Sequence, residues 1–137
     1  MSLIPGTYII KSKMNDLYIG PNNGAVISLP PGTEAPRWQV EQSGNGTYVV
    51  KIDGKWAAND DGKLAVTSDL SVLWRITNDE RNGPGAFVIG RTDGPEGWVM
   101  SEEEPGNQVA VRILIVAPSW PPFYPPNEVW MLSRVED

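Results

Sequence analysis

Five carboxylates crowd one short stretch of the sequence: Asp93, Glu96 and the run Glu102-Glu103-Glu104. Oxygen ligands this dense are the raw material of a calcium site. Such a site needs ligands at alternating positions around a turn glycine, and this spacing does not supply them. A solvated turn is the expectation. Asn59-Asp60-Asp61-Gly62 and Asn78-Asp79-Glu80-Arg81-Asn82-Gly83 read as turns as well, because Asn, Asp and Gly tolerate positive φ. Paired carboxylates can do acid–base chemistry, but nothing in the sequence aims two of them at one substrate. The 137 residues contain no histidine and no cysteine. The usual general base, the commonest metal ligand and the thiolate nucleophile are therefore all missing. No phosphate-cradling glycine loop and no nucleophile elbow is present. The expectation is a protein that is not an enzyme and carries no metal or cofactor.

The net charge of −6 argues against a nucleic-acid partner, which would call for a basic face. No stretch approaches transmembrane length, so no membrane partner is expected. The first residues, Met1 to Ser12, show no charged n-region followed by a long apolar run. With no cysteine to report an oxidising compartment, the location expected is cytoplasmic.

What, then, would position any functional side chain? Fourteen glycines and thirteen prolines cut the chain into runs too short and too β-branched for helices. The runs repeat. Gly6-Thr7-Tyr8-Ile9-Ile10 recurs as Gly46-Thr47-Tyr48-Val49-Val50 and as Gly85-Ala86-Phe87-Val88-Ile89. After each comes a run with an early aromatic, Tyr18, Trp56 or Trp98, and then an aliphatic run, Ala25-Val26-Ile27, Leu64-Ala65-Val66 or Val109-Ala110-Val111. Each unit closes on a tryptophan in an alternating strand, at Trp38, Trp74 and Trp130.

Three units of four strands predict an all-β chain of twelve strands, a β-trefoil: a six-stranded barrel capped by three hairpins, in one domain spanning 1–137 with repeats at about 6–42, 46–79 and 85–135. The closing tryptophans are expected to meet on the pseudo-threefold axis, each burying about 200 Å². On this reading Trp38, Trp56, Trp74, Trp98 and Trp130 all occupy repeat positions and serve packing. Trp120 is left over. It sits in Ala117-Pro118-Ser119-Trp120-Pro121-Pro122-Phe123-Tyr124-Pro125-Pro126, an insertion that prolines hold extended. Its aromatics, Trp120, Phe123 and Tyr124, could form a ligand surface or a lid on the barrel.

Several stretches of this sequence are similar to mushroom (basidiomycete) β-trefoil serine protease inhibitors of the cospin type. They are the opening Gly6-Thr7-Tyr8-Ile9-Ile10, the strand around Trp74, and above all Gly97-Trp98-Val99, Gly106-Asn107-Gln108, Arg112 to Ser119, Pro121-Pro122 and Asn127-Glu128-Val129-Trp130. The mycocypins, which inhibit cysteine proteases, are more distantly similar. The resemblance runs along the whole chain and is densest from about residue 85. It implies a monomeric protease inhibitor with a defensive role, and it implies that the loop between the second and third strands engages the protease. Here that loop is Pro21-Asn22-Asn23-Gly24-Ala25.

The residue types leave the target open. A trypsin-like pocket holds an aspartate and takes Arg or Lys, and residues 20–26 contain neither. Asn22 or Asn23 would then fill the pocket, which suits an asparaginyl endopeptidase of the legumain kind better. Basic residues in other connections, Lys13, Lys63, Arg81 and Arg91, are read as solvated charges. Asn23-Gly24 is also a strong hairpin signal in its own right. The rival reading is a carbohydrate-binding trefoil using Trp120, Phe123 and Tyr124, although the Gln-x-Trp signature of ricin-type trefoils is absent from all three units.

Overall fold

The computed structural model describes residues 3–135. Twelve strands follow one another: β1 (Gly6–Ser12), β2 (Ile19–Asn22), β3 (Ala25–Ser28), β4 (Trp38–Gly44), β5 (Thr47–Ile52), β6 (Lys55–Asp60), β7 (Lys63–Thr67), β8 (Trp74–Asn78), β9 (Ala86–Arg91), β10 (Glu96–Val99), β11 (Ala110–Ile113) and β12 (Trp130–Arg134). Two single-turn 3-10 helices, Glu80–Asn82 and Pro126–Glu128, interrupt the connections before β9 and β12.

Pairing closes six strands into a ring. β1 pairs with β4, β4 with β5, β5 with β8, β8 with β9, β9 with β12, and β12 returns to β1. The ring leaves no open edge among its members, which is how a small all-β chain avoids edge-to-edge association. The remaining strands form three pairs, β2–β3, β6–β7 and β10–β11, laced together where β7 meets β3 and β11. The pattern is all-β and compatible with the predicted trefoil.

The repeat has a physical core. The opening aromatic of each unit lies directly across from its closing tryptophan: Tyr8 faces Trp38, Tyr48 faces Trp74 and Phe87 faces Trp130. Each closing indole then donates its N–H to a main-chain carbonyl in the second strand of its own unit. Trp38 reaches Ile19 at 3.1 Å, Trp74 reaches Ala57 at 2.9 Å and Trp130 reaches Trp98 at 3.0 Å. The three tryptophans are thus buried with their one polar atom satisfied, as a dry interior requires.

These bonds correct one sequence assignment. Trp98 is equivalent to Ile19 and Ala57, not to Tyr18 and Trp56. Strand register agrees: Lys11 faces Tyr18, Lys51 faces Trp56, and the corresponding pair in the third unit is Gly90 facing Gly97. A one-residue slip moves a strand residue to the other face. Trp98 accordingly points into the core, edge-on to Trp74 at 5.5 Å and to Trp130 at 6.1 Å, while Trp56 is only half-buried beneath Lys51. The centre therefore holds four tryptophans, with Trp98 standing between two of the closing ones.

Glycines 90 and 97 leave the outer face of the third unit bare, and Leu114 covers it. A Cβ built on Gly97 would lie 2.7 Å from Leu114 Cδ1 and 2.6 Å from the Ile89 carbonyl oxygen. The start of the proline-rich insertion thereby occupies the ground that Tyr18 and Trp56 hold in the other units.

Candidate functional site

Residues 21–25 fold as the tip of the β2–β3 hairpin. Asn22 pairs with Ala25, so only Asn23 and Gly24 lie between the strands. Both have positive φ, 51° and 86°, the backbone of a two-residue type I′ turn. Asparagine followed by glycine is the pair that accepts this conformation most readily, which explains the local sequence. Pro21 sits on β2, whose only ladder partner is β3, and there its missing N–H breaks no sheet bond. A Cβ on Gly20 would overlap the Pro36 ring, so the root of the hairpin is packed closely against the β3–β4 connection.

The turn is held from outside as well. Val66 N–H donates to the Gly24 carbonyl at 2.8 Å, and Ala25 pairs with Ala65 on β7. Asn22 and Asn23 are exposed. Neither amide is drawn back into a hydrogen bond with the barrel among the described residues. The second unit builds the same tip from Asp61 (φ 52°) and Gly62 (φ 84°), between the paired Asp60 and Lys63. In the third unit the tip is replaced by residues 100–109, which carry the glutamate run. That segment is folded back: Asn15 Nδ2 donates to the Glu103 carbonyl at 3.0 Å, and Gly106 N–H to that of Ser28 at 2.7 Å. Among the described residues no acidic cluster has metal-binding geometry.

The second candidate surface, Trp120, Phe123 and Tyr124, lies in the connection from β11 to β12, apart from the hairpin tip. Ala117 N–H donates to the Phe123 carbonyl at 2.8 Å, closing a small loop with Trp120 in its bend. The Trp120–Pro121 peptide bond is cis. Arg81, from the β8–β9 connection, braces the bend: its Nε donates to the Pro121 carbonyl at 2.9 Å and its guanidinium to Ser119 Oγ at 3.1 Å. Trp120 is 89 % exposed and Phe123 46 %. Tyr124 is half-buried, and burial, then the charges of Asp79 and Glu128, push its phenol up from 10. The three aromatics share one segment, with Trp120 the most exposed and Tyr124 the least. A cavity of about 240 Å³ lies under the bend, between Trp120, Pro121, Tyr124, Asn78, Asp79 and Glu80.

Two of the polar residues lining that cavity are already engaged. Asn78 Nδ2 donates to the carbonyls of Gly83 and Ala86, and the Asp79 oxygens accept from Arg81 N–H and Asn82 Nδ2. The other cations considered as bait differ from one another. Arg81 is spent on the brace, and Arg91 is paired with Asp93 and Glu96, whereas Lys13 and Lys63 are solvated.

Glu128 has a structural role that the sequence reading did not assign. It is 2 % exposed, accepts from Ile115 N–H at 2.6 Å through Oε2, and has no protein partner for Oε1. Burial pushes its carboxyl above the usual range, with the Ile115 bond pulling the other way. Nothing in Pro126-Asn127-Glu128-Val129 distinguishes this carboxylate from a surface one.

A rigid, edge-free barrel displaying pre-ordered tips is a binding scaffold. Comparison with known proteins specifies which kind. The family model for peptidase inhibitor I66 matches residues 1–134, and the chain belongs to that family. It is 32 % identical to a serine protease inhibitor of Lentinula edodes, over 98 % of this chain and all of that one. Its fold matches a proteinase inhibitor from Coprinopsis cinerea with a TM-score of 0.87 and 30 % identity, over 98 % of this chain and 100 % of the other. A ricin B-like lectin of Macrolepiota procera, solved with lactose, shares the fold at a TM-score of 0.76 but only 18 % identity, again over 98 % and 100 % of the two chains. The family and its relatives are protease inhibitors, not enzymes. Among the described residues no helix is long and apolar enough to cross a membrane.

Proposed function

We propose that this chain is a monomeric, cofactor-free β-trefoil inhibitor that blocks the active-site cleft of a serine protease reversibly, with Pro21 to Ala25 as its contact. One observation carries the reading: in a chain of a protease-inhibitor family, Asn22 and Asn23 are exposed on a turn closed by the β2–β3 ladder and tied to β7 through Gly24 and Ala25. A loop ordered before docking loses little chain entropy on binding. Two successive residues of positive φ cannot lie in the extended conformation of a substrate strand. The tip therefore acts as a wedge, with the Asn23 amide at its apex offering a donor and an acceptor to the specificity pocket. A neutral amide also leaves asparaginyl endopeptidase as an alternative target, since that enzyme accepts the same side chain. The resemblance to cospin-type inhibitors supports a defensive role.

The glycan-binding reading is weaker. A sugar site needs free donors and acceptors beside its aromatic platform, and Asn78 and Asp79 are committed beneath Trp120. The deciding experiment is an inhibition panel of trypsin, chymotrypsin, subtilisin, papain and legumain, with wild type and the N22A/N23A double variant. Inhibition of one enzyme, lost in the double variant, is expected. If no enzyme of the panel that wild type inhibits escapes inhibition in the double variant, residues 21–25 leave the mechanism. Failure across the panel with glycan-array binding would replace the reading.

A further inference from the structure

We propose that the loop Ala117 to Phe123 is a second protease-binding element, whose Trp120 indole enters the apolar specificity pocket of a chymotrypsin-like serine protease. The inference rests on the chain being a serine protease inhibitor, but on none of residues 21–25.

The loop is ordered without help from a partner. Beyond the Ala117–Phe123 bond and the two Arg81 bonds, Ser119 N–H donates to the Ala117 carbonyl at 2.9 Å and Ser119 Oγ to that of Pro121 at 3.1 Å. Its base is fastened twice, by Leu114 N–H to the Pro95 carbonyl at 3.1 Å and by Ile115 N–H to Glu128. Three prolines at 118, 121 and 122 remove further backbone freedom. The polar contacts of the bend are made within the loop and to Arg81, and its most exposed large apolar side chain is the indole. The chain holds a large apolar ring rigidly in water, which folding alone gives no reason to do. Tryptophan is among the residues enriched at the anchoring positions of protein interfaces. Phe123 within the same bend and Val116 just before it are exposed as well, adding apolar surface to the loop.

The chemistry selects the pocket. A slot floored by a carboxylate wants a cation, and the bend offers none, because Arg81 is consumed in bracing it. A hydrophobic slot accepts an indole. The residue after Trp120 is proline, so a protease attacking there would face a nitrogen that carries no hydrogen and is tied into a ring. The anchor can fill the pocket without becoming a good substrate.

Topology separates the two elements. The Asn23 tip lies in the hairpin layer beside β7, whereas the bend is tied to the β8–β9 connection. β9 runs from that connection towards β10 and the hairpins, which puts the bend beside the barrel end remote from them. Two enzymes could then occupy one inhibitor.

Inhibition constants for wild type, W120A, W120F and N22A/N23A against trypsin, chymotrypsin and legumain test this. W120A is expected to weaken chymotrypsin inhibition by about 30-fold or more, with W120F intermediate. Against whichever enzyme the asparagines control, W120A should stay within about twofold of wild type, and circular dichroism should show its fold intact. N22A/N23A should show the converse, and size exclusion with both enzymes should show a ternary complex. Chymotrypsin inhibition untouched by W120A would overturn the proposal. So would an inhibitor controlled by Asn22 and Asn23 that leaves chymotrypsin active, and that result would preserve the first reading. A Trp120-dependent dimer, or glycan binding abolished in W120A, would also overturn it. Inactivity against every protease would defeat both.

Discussion

The main-chain N–H of Ile115 and the buried carboxylate of Glu128 meet at 2.6 Å, closing the β11–β12 insertion at its base. A carboxylate so placed is costly when ionised, and its carboxyl is shifted upward by burial. A raised folded value stabilises the fold below the unfolded carboxyl range of about 4.3, and this contribution disappears as pH climbs through the folded value. Glu128→Gln keeps an acceptor for Ile115 and removes the charge. Its melting temperature relative to wild type should therefore rise between about pH 4 and pH 7, a trend thermal melts across that window would check. A flat difference would show that Glu128 does not ionise differently on unfolding.

Gly97 has no room for a methyl group. Gly97→Ala would drive a Cβ against the Ile89 carbonyl and Leu114, at 2.6 and 2.7 Å. Of the two, only the leucine can yield easily. The expected loss is about 1–3 kcal/mol, read by urea unfolding, with faster proteolysis of the displaced insertion.

The tryptophan N–H bonds offer a threefold test of the core. Trp38→Phe, Trp74→Phe and Trp130→Phe each orphan a buried carbonyl, of Ile19, Ala57 and Trp98 respectively, and leave a void. Each should lose about 2–4 kcal/mol on denaturant unfolding. Similar losses at all three positions are expected, since the geometry repeats; one neutral variant would break the equivalence.

Charge and shape at the hairpin tip can be separated. Asn23→Asp installs the pair that already forms this turn at Asp61-Gly62, so the backbone should hold and the melting temperature should move by no more than about 2 °C. If the Asn23 amide fills the protease pocket, inhibition should nonetheless fall by about tenfold or more in a steady-state assay. Unchanged inhibition would mean that the turn supplies shape alone.

Arg81→Ala removes both bonds that brace the bend at Pro121 and Ser119. Global stability should change little, because the arginine is exposed, while limited proteolysis should begin to cut between residues 117 and 124. Resistance equal to wild type would show that the prolines suffice.

The repeat was legible because each unit opens and closes on its own aromatic pair, such as Tyr8 with Trp38, even though the residues between the two differ in number from unit to unit. The hairpin tip was legible for the same local reason, since Asn23-Gly24 specifies its turn without help from the rest of the chain. What stayed hidden depends on partners distant in sequence. Trp98 looked equivalent to Tyr18 and Trp56 because an aromatic occurs near the start of each run. The Trp130 N–H bond to the Trp98 carbonyl and the pairing of Gly97 with Gly90 reveal the slip, and Leu114 covers the two glycines. The roles of Arg81 and Glu128 were hidden likewise, because an ordinary charged residue in a connection carries no mark of the loop it will hold. The third hairpin has residues 100–109 in place of a tight tip; their glutamates read as a solvated turn, but nothing local showed that their backbone would bond to Ser28 on β3 and to Asn15 after β1.

The bare face of the third unit couples the insertion to the barrel. The other two units carry Tyr18 and Trp56 where this one carries Gly97, and Leu114 takes the space a side chain there would need. A larger residue at 97 would expel Leu114, and removing Leu114 would uncover the glycine pair. A graft of the β11–β12 connection onto another barrel of this kind therefore has to carry both glycines with it.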